Sequence, residues 1–123
     1  MRALLARVKT IAVVGLSDRP ERPAYGVAAY LQRQGYRIIP VHPLATTVLG
    51  EKAYRSLAAV PEPVDLVDVF RASDAVPGLL GEMNALGLPY AWLQEGVTCG
   101  EIPAGMTVVQ DRCLLKEHRR LLA

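Results

Sequence analysis

Ile11-Ala12-Val13-Val14-Gly15-Leu16-Ser17-Asp18-Arg19-Pro20-Glu21-Arg22-Pro23-Ala24-Tyr25-Gly26-Val27 decides how the rest of the chain must fold. Its four leading apolar residues, with β-branched side chains among them, read as a strand buried on both faces, as in a parallel sheet. Gly15 lets the backbone turn sharply where that strand ends. A loop with Ser17, Arg19, Pro20 and Arg22 comes next, and a helical pattern begins near Tyr25. A strand, a glycine loop and a helix in that order form the unit at which open α/β sheets hold phosphorylated ligands. Amide N–H groups and the helix N-terminus supply positive potential there. Arg19 and Arg22 add full charges that a phosphate can use. The plainer alternative is an ordinary strand-to-helix turn with solvated arginines.

Working outward, Ala24, Val27, Ala28 and Leu31 share one helical face, and Gly35 is placed to end that helix. Tyr36 to Val41 reads as the second strand, with Pro40 expected to stop its pairing. The loop from His42 to Lys52 is next, then a short helix Leu57 to Val60 capped by Ser56. Asp65 to Phe70 is the third strand. Its two aspartates fit near the strand's start or against a polar neighbour. Ser73-Asp74 opens a helix with a buried stripe of Val76, Leu79, Leu80, Met83 and Leu86, ended by Gly87. Pro89 to Gln94 is the fourth strand, Thr107 to Val109 the fifth, and Leu114 to Leu122 the last helix. Met1 to Val8, too short for a signal segment, reads as a small amphipathic helix lying on the sheet.

This alternation, with crossovers too long for hairpins, predicts a doubly wound, Rossmann-like parallel sheet of about five strands flanked by helices. At 123 residues, with neither repeats nor a linker, one domain spanning 1–123 is expected. Hydrophobic residues at 51% and charged residues at 21% exclude a disordered chain. A net charge of +2 is too small to argue for nucleic acid or a membrane surface. Two cysteines, Cys99 and Cys113, suit a reduced cytoplasmic protein and are too few and too far apart for a zinc ribbon.

In such a sheet, ligands bind outside the carboxyl ends of the strands. Gly15 to Arg22, His42-Pro43, Phe70 to Ser73 and Gln94 to Gly96 meet there. The loop lacks G-x-G-x-x-G, and His42 stands where a dinucleotide site offers an acid to the ribose diol. A phosphorylated adenosine ligand other than NAD therefore fits best. Cys113 has no obvious base partner and reads as a buried structural thiol, with Cys99 exposed in a loop. Asp65, Asp68 and Asp111 form no acid–base pair or metal cluster, and Trp92 reads as core.

The sequence resembles the stand-alone CoA-binding proteins, similar in fold to the CoA-binding domain of the succinyl-CoA synthetase α subunit. The matching pieces are Val13 to Ser17 with Pro20 to Pro23 and Tyr25 to Val27; Gly35 to Pro43; Pro61 to Asp65; Val67 to Arg71; Trp92 to Val97; and Val108 to Cys113. The resemblance implies coenzyme A lying across the crevice. Its phosphates would meet Gly15, Leu16, Ser17, Asp18, Arg19 and Arg22. Its adenosine would sit between Val41, His42, Pro43 and Phe70, Arg71. Its pantetheine arm would pass Gln94, Glu95 and Gly96. The chain departs from that pattern at His42 (more often Asn), at Ala24 (often Ser) and in a shortened 97–107 segment, expected as a loop. The resemblance implies a small cytoplasmic binder of CoA or acyl-CoA, monomer or homodimer, without evident catalysis. The alternatives are an enzyme or redox protein using Cys113 on a CoA thioester or disulfide, and an NAD(P)-binding regulatory module.

Overall fold

The computed structural model describes residues 1–44 and 46–122. In chain order its elements are α1 (Arg2–Arg7), β1 (Thr10–Val14), α2 (Pro23–Arg33), β2 (Arg37–Val41), β3 (Thr47–Val48), β4 (Glu51–Lys52), β5 (Leu66–Val69), α3 (Val76–Ala85), β6 (Tyr90–Leu93), β7 (Thr107–Val109) and α4 (Leu114–Leu121). Short 3-10 turns lie at Leu57–Ala59 and Ser73–Ala75. Five strands make one parallel sheet in the order β2-β1-β5-β6-β7, a Rossmann-like α/β arrangement. No described helix is long and apolar enough to cross a membrane.

Alternation along each strand sends side chains to two cores. Ile11, Val13, Leu66 and Trp92 pack with α1, α2 and α4 on one face. Ala12, Val14, Val67, Val69 and Leu93 pack with α3 and the 57–59 turn on the other. Both faces of β1 are therefore dry, which explains its unbroken apolar run. The predicted stripe of α2 is the one buried: Ala24, Val27, Ala28 and Leu31. Leu31 is fully buried, so truncating it to alanine removes about 2–5 kcal/mol.

The two aspartates of the third strand sit as the sequence suggested. Asp65, just before β5, accepts the backbone N–H groups of Lys9 and Thr10 at 3.0 and 2.9 Å. Asp68 is buried within β5 and faces a polar neighbour, Gln94. Gly87 ends α3 as expected, with the Leu88 N–H bonding back to the Met83 carbonyl at 2.9 Å.

Four expectations fail locally. Pairing does not stop at Pro40, because β1 and β2 stay in register through Val14 and Val41. β2 is an edge strand, and the Pro40 carbonyl accepts the Tyr54 N–H on its outer side. The missing proline N–H therefore points away from β1 and costs the sheet nothing. The loop predicted over 42–52 contains the antiparallel hairpin β3–β4, turned by Leu49 and Gly50 at φ of 53° and 77°; position 45 lies outside the described residues. Leu86 is 41% exposed, since it falls at the helix end and Leu88 turns inward instead. Ser56 precedes the 57–59 turn but makes no side-chain cap bond.

Candidate functional site

From β1 the chain steps outward to β2, then returns to place β5 on the other side of β1. That reversal opens a crevice at the carboxyl ends of β1 and β5, the general ligand position in such sheets. Gly15 and Phe70 lie directly after the two strands. Gly15 has φ +94°, and its N–H donates to the Val41 carbonyl at 2.9 Å. A Cβ placed there would lie 2.6 Å from the Phe70 carbonyl oxygen. Only glycine allows this approach, which leaves bare backbone as the crevice floor. Above it is a cleft of about 1190 Å³, large enough for a nucleotide-sized ligand.

The first wall is the loop after β1 and the start of α2. Ser17, Asp18, Arg19 and Arg22 line it, and the Ser17 hydroxyl accepts the Arg19 N–H at 3.4 Å. Pro23 occupies the first turn of α2, where its missing N–H is harmless. No side chain caps this helix, and its first turn holds no acid. The positive end of α2 is therefore not neutralised by an acid within its own first turn. Arg71 faces the same space from the far side of the crevice. Arg19, Arg22 and Arg71 make no ion pair among the described residues. Glu95, the anion on the opposite wall, is paired with Lys116 at 3.0 Å.

His42 and Pro43 form the rim after β2, and the His42 Nδ1 accepts the Leu44 N–H at 3.1 Å. The remaining wall is built from the end of β6 and the residues just beyond it. Trp92 is core, as read from the sequence, and its Nε1 donates to the Arg112 carbonyl at 2.8 Å. The Arg112 N–H in turn reaches the Leu93 carbonyl, and Asp111, at φ 55°, accepts the Gly96 N–H at 2.7 Å. These bonds clamp residues 110–112 beside the end of β6 and set Cys113 on the cleft wall as the N-cap of α4.

Beneath that wall Asp68 is fully buried. Its Oδ1 accepts the Gln94 Nε2–H at 2.5 Å, and its Oδ2 is sealed away with no partner among the described residues. Burial raises the Asp68 carboxyl to about 7, against the weaker downward pull of the Gln94 bond.

Of the residues singled out from sequence, Gly15, Ser17, Asp18, Arg19 and Arg22 border the cleft from one side. His42, Pro43, Phe70, Arg71, Gln94 and Glu95 border it from the others. Leu16 and Val41 are buried in the two cores, and Gly96 lies off the lining. Cys113 is not buried: it is half-buried and opens on the cleft, because α4 starts at the cleft rather than beneath it. Cys99 is not a freely exposed loop thiol either. It packs against the second core, with its N–H on the Gln110 Oε1 at 2.8 Å. Ala24, noted from sequence as a departure at the phosphate site, is on the wall, and sequence reasoning missed Val27 and Val97 beside it. The 98–106 segment is a loop, as expected. No cluster of three or more His, Cys, Asp or Glu able to hold a metal occurs among the described residues.

A family model described as the CoA binding domain matches residues 9–119. The uncharacterized protein YneT of Bacillus subtilis is 41% identical, over 96% of this chain and 91% of that protein. A hypothetical protein from Pyrococcus horikoshii superposes with a TM-score of 0.94 at 35% identity, covering 99% of this chain and 89% of that one. The ADP-forming acetate–CoA ligase II of Archaeoglobus fulgidus is 29% identical over 65% of this chain, a stretch that makes up only 12% of the ligase.

Proposed function

The chain belongs to the CoA-binding domain family, and on that premise we propose that it binds coenzyme A in the cleft at the carboxyl ends of β1 and β5. One observation carries the reading: the uncapped start of α2 and three arginines without ion pairs among the described residues surround one nucleotide-sized cleft. A polyanion that brings its own adenosine answers all of these features at once. The diphosphate would lie over Gly15 and against Ser17, Arg19 and Arg22, with the α2 dipole behind it. The adenosine would fill the space between His42-Pro43 and Phe70-Arg71. Arg71 offers a planar fork to the ribose phosphate. The pantetheine arm would run along Gln94 and Glu95 toward Cys113.

Residues 1–123 act in this reading as one small cytoplasmic binding domain, monomeric or homodimeric, that holds CoA or an acyl-CoA without turning it over. Calorimetric titration tests it. CoA should bind measurably and dephospho-CoA about tenfold or more weakly, having lost a charge-assisted contact. NAD should bind far more weakly than either, since no acid stands at position 42 to receive a ribose diol. NAD binding as tight as CoA would overturn the proposal.

The position of Cys113 favours a second reading. Its thiol borders the cleft at the start of a helix, at the end of the wall along which the arm would run. A Cys113 thiolate could attack a CoA disulfide, forming a Cys113–CoA mixed disulfide and releasing one CoA thiolate. Incubation with CoA disulfide, with intact-mass measurement afterwards, should then add one CoA to wild type and none to Cys113→Ser.

A further inference from the structure

Gln94 closes β6 and is only 5% exposed, yet it borders the cleft. A primary amide has two unlike ends. The nitrogen of this one is turned to Asp68, whose Oδ1 accepts it at 2.5 Å, so the carbonyl oxygen is turned elsewhere. Among the described residues nothing donates to Gln94 Oε1. Nor is it sealed from solvent without a partner, a condition met by Asp68 Oδ2. The Oε1 atom therefore meets open space, and the open space that Gln94 borders is the cleft.

We infer that Gln94 is a specificity residue whose carbonyl oxygen accepts a hydrogen bond from an amide N–H of the ligand's non-nucleotide arm, and that Asp68 is the positioning residue that keeps the amide turned that way. The inference rests on the CoA reading, because the arm that would pass this point carries secondary amides. An ionised carboxylate accepts hydrogen bonds and donates none. Turning the amide over would set two acceptors against each other in a dry site, at a cost in free energy. Asp68 thus holds Gln94 in one of its two orientations, which an apolar neighbour could not do. The location explains a polar pair in an otherwise apolar sheet. Val13 and Trp92 flank Asp68 in register on the adjacent strands.

The test compares two probes at pH 8, where Asp68 is ionised. They are CoA and adenosine 3′,5′-bisphosphate, which carries phosphates but no arm. Gln94→Met should weaken CoA about 5- to 20-fold, since a ligand N–H is left dry and unbonded. It should leave the bisphosphate within about twofold. Asp68→Leu should shift the ratio of the two affinities in the same direction, by about threefold. Asp68→Asn, which keeps an oxygen for the Gln94 nitrogen but can also donate to a turned amide, should give a ratio between those of Asp68→Leu and wild type. A merely structural role for Asp68 would move both probes together and leave the ratio alone, which would overturn its part. A wild-type ratio in Gln94→Met overturns the inference while the CoA reading stands. Failure of wild type to bind either probe overturns both.

Discussion

The two ends of the sheet treat their polar groups in opposite ways. At the amino ends of the strands, charge meets charge or hydrogen-bond partner within the protein. Asp65 takes two backbone N–H groups, and Arg37 reaches both Glu51 and Glu62. The Tyr36 hydroxyl donates to the Leu5 carbonyl at 2.7 Å, and Tyr30 meets the His118 Nδ1 at 2.8 Å, joining α1, α2 and α4. At the carboxyl ends, among the described residues, three arginines face a cleft without ion pairs, a helix start has no side-chain cap, and an aspartate oxygen is sealed in alone. One end is arranged for the stability of the fold. The other carries unmet demands that a ligand can answer. Substitutions at the first should therefore lower melting and leave affinity alone. At the second, changes to the exposed arginines should alter affinity alone, and relief of the buried Asp68 should raise stability.

The largest expected effect is at Asp68. Its native carboxyl, at about 7, holds a proton more tightly than the unfolded chain, whose ordinary value is 3.8. Between those values the native state binds more protons, so stability falls as pH rises through that window and stays low above it. Asp68→Asn should thus be more stable than wild type at pH 8, by roughly 2–4 kcal/mol, with the gain gone near pH 4. Denaturant titration at the two pH values measures it. A variant less stable than wild type at pH 8 would mean that the cleft end is not held at a cost.

Next is Arg22→Ala, which should lower CoA affinity about 10- to 100-fold through one lost charge-assisted phosphate contact. Arg19→Ala should cost less, because Arg22 immediately precedes α2. Neither should change melting of the apo protein, as both side chains are exposed. Lost stability with unchanged affinity would blur the contrast between the ends. Tyr36→Phe provides the converse: a loss of about 1 kcal/mol in stability and the same CoA affinity as wild type. The smallest effect belongs to His118. Burial lowers its pKa below 6.5, so as pH falls through 6.5 the unfolded chain takes up the imidazole proton first and stability declines. In the Asp68→Asn background, His118→Gln should flatten that part of the stability–pH curve.

Much of this contrast can be read in the chain itself, and the unread part has a common cause. The apolar run Ile11 to Val14, the glycines closing α2 and α3, and the alternation of elements are local signals, each visible within one window. Asp65 and Asp68 could be placed because an aspartate inside an apolar run must find a partner. Pro40 misleads because sequence does not say which side of β2 faces the sheet. The β3–β4 turn carries Leu49 at positive φ, where the usual Asn-Gly or Asp-Gly signal is absent. The exposure of Cys113 depends on how residues 110–112 dock beside β6, a contact about twenty positions distant in sequence. A helix start just beyond the last strand was the available hint.

Gly15 bears on how such a chain can vary. Gly26, Gly78 and Gly81 lie within helices, and an added Cβ would meet nothing there. Alanine should pass at each and add about 0.5–1 kcal/mol to stability. A saturation library sorted only for soluble, folded protein, with no ligand present, should accept these changes and return glycine alone at position 15. An unvarying glycine at the head of this loop would then record a steric bottleneck between two strands. Walls such as Arg22, His42 and Gln94 could diverge toward other ligands while that position stayed fixed. A sequence signature centred on Gly15 would mark the architecture of the crevice and say nothing of what fills it.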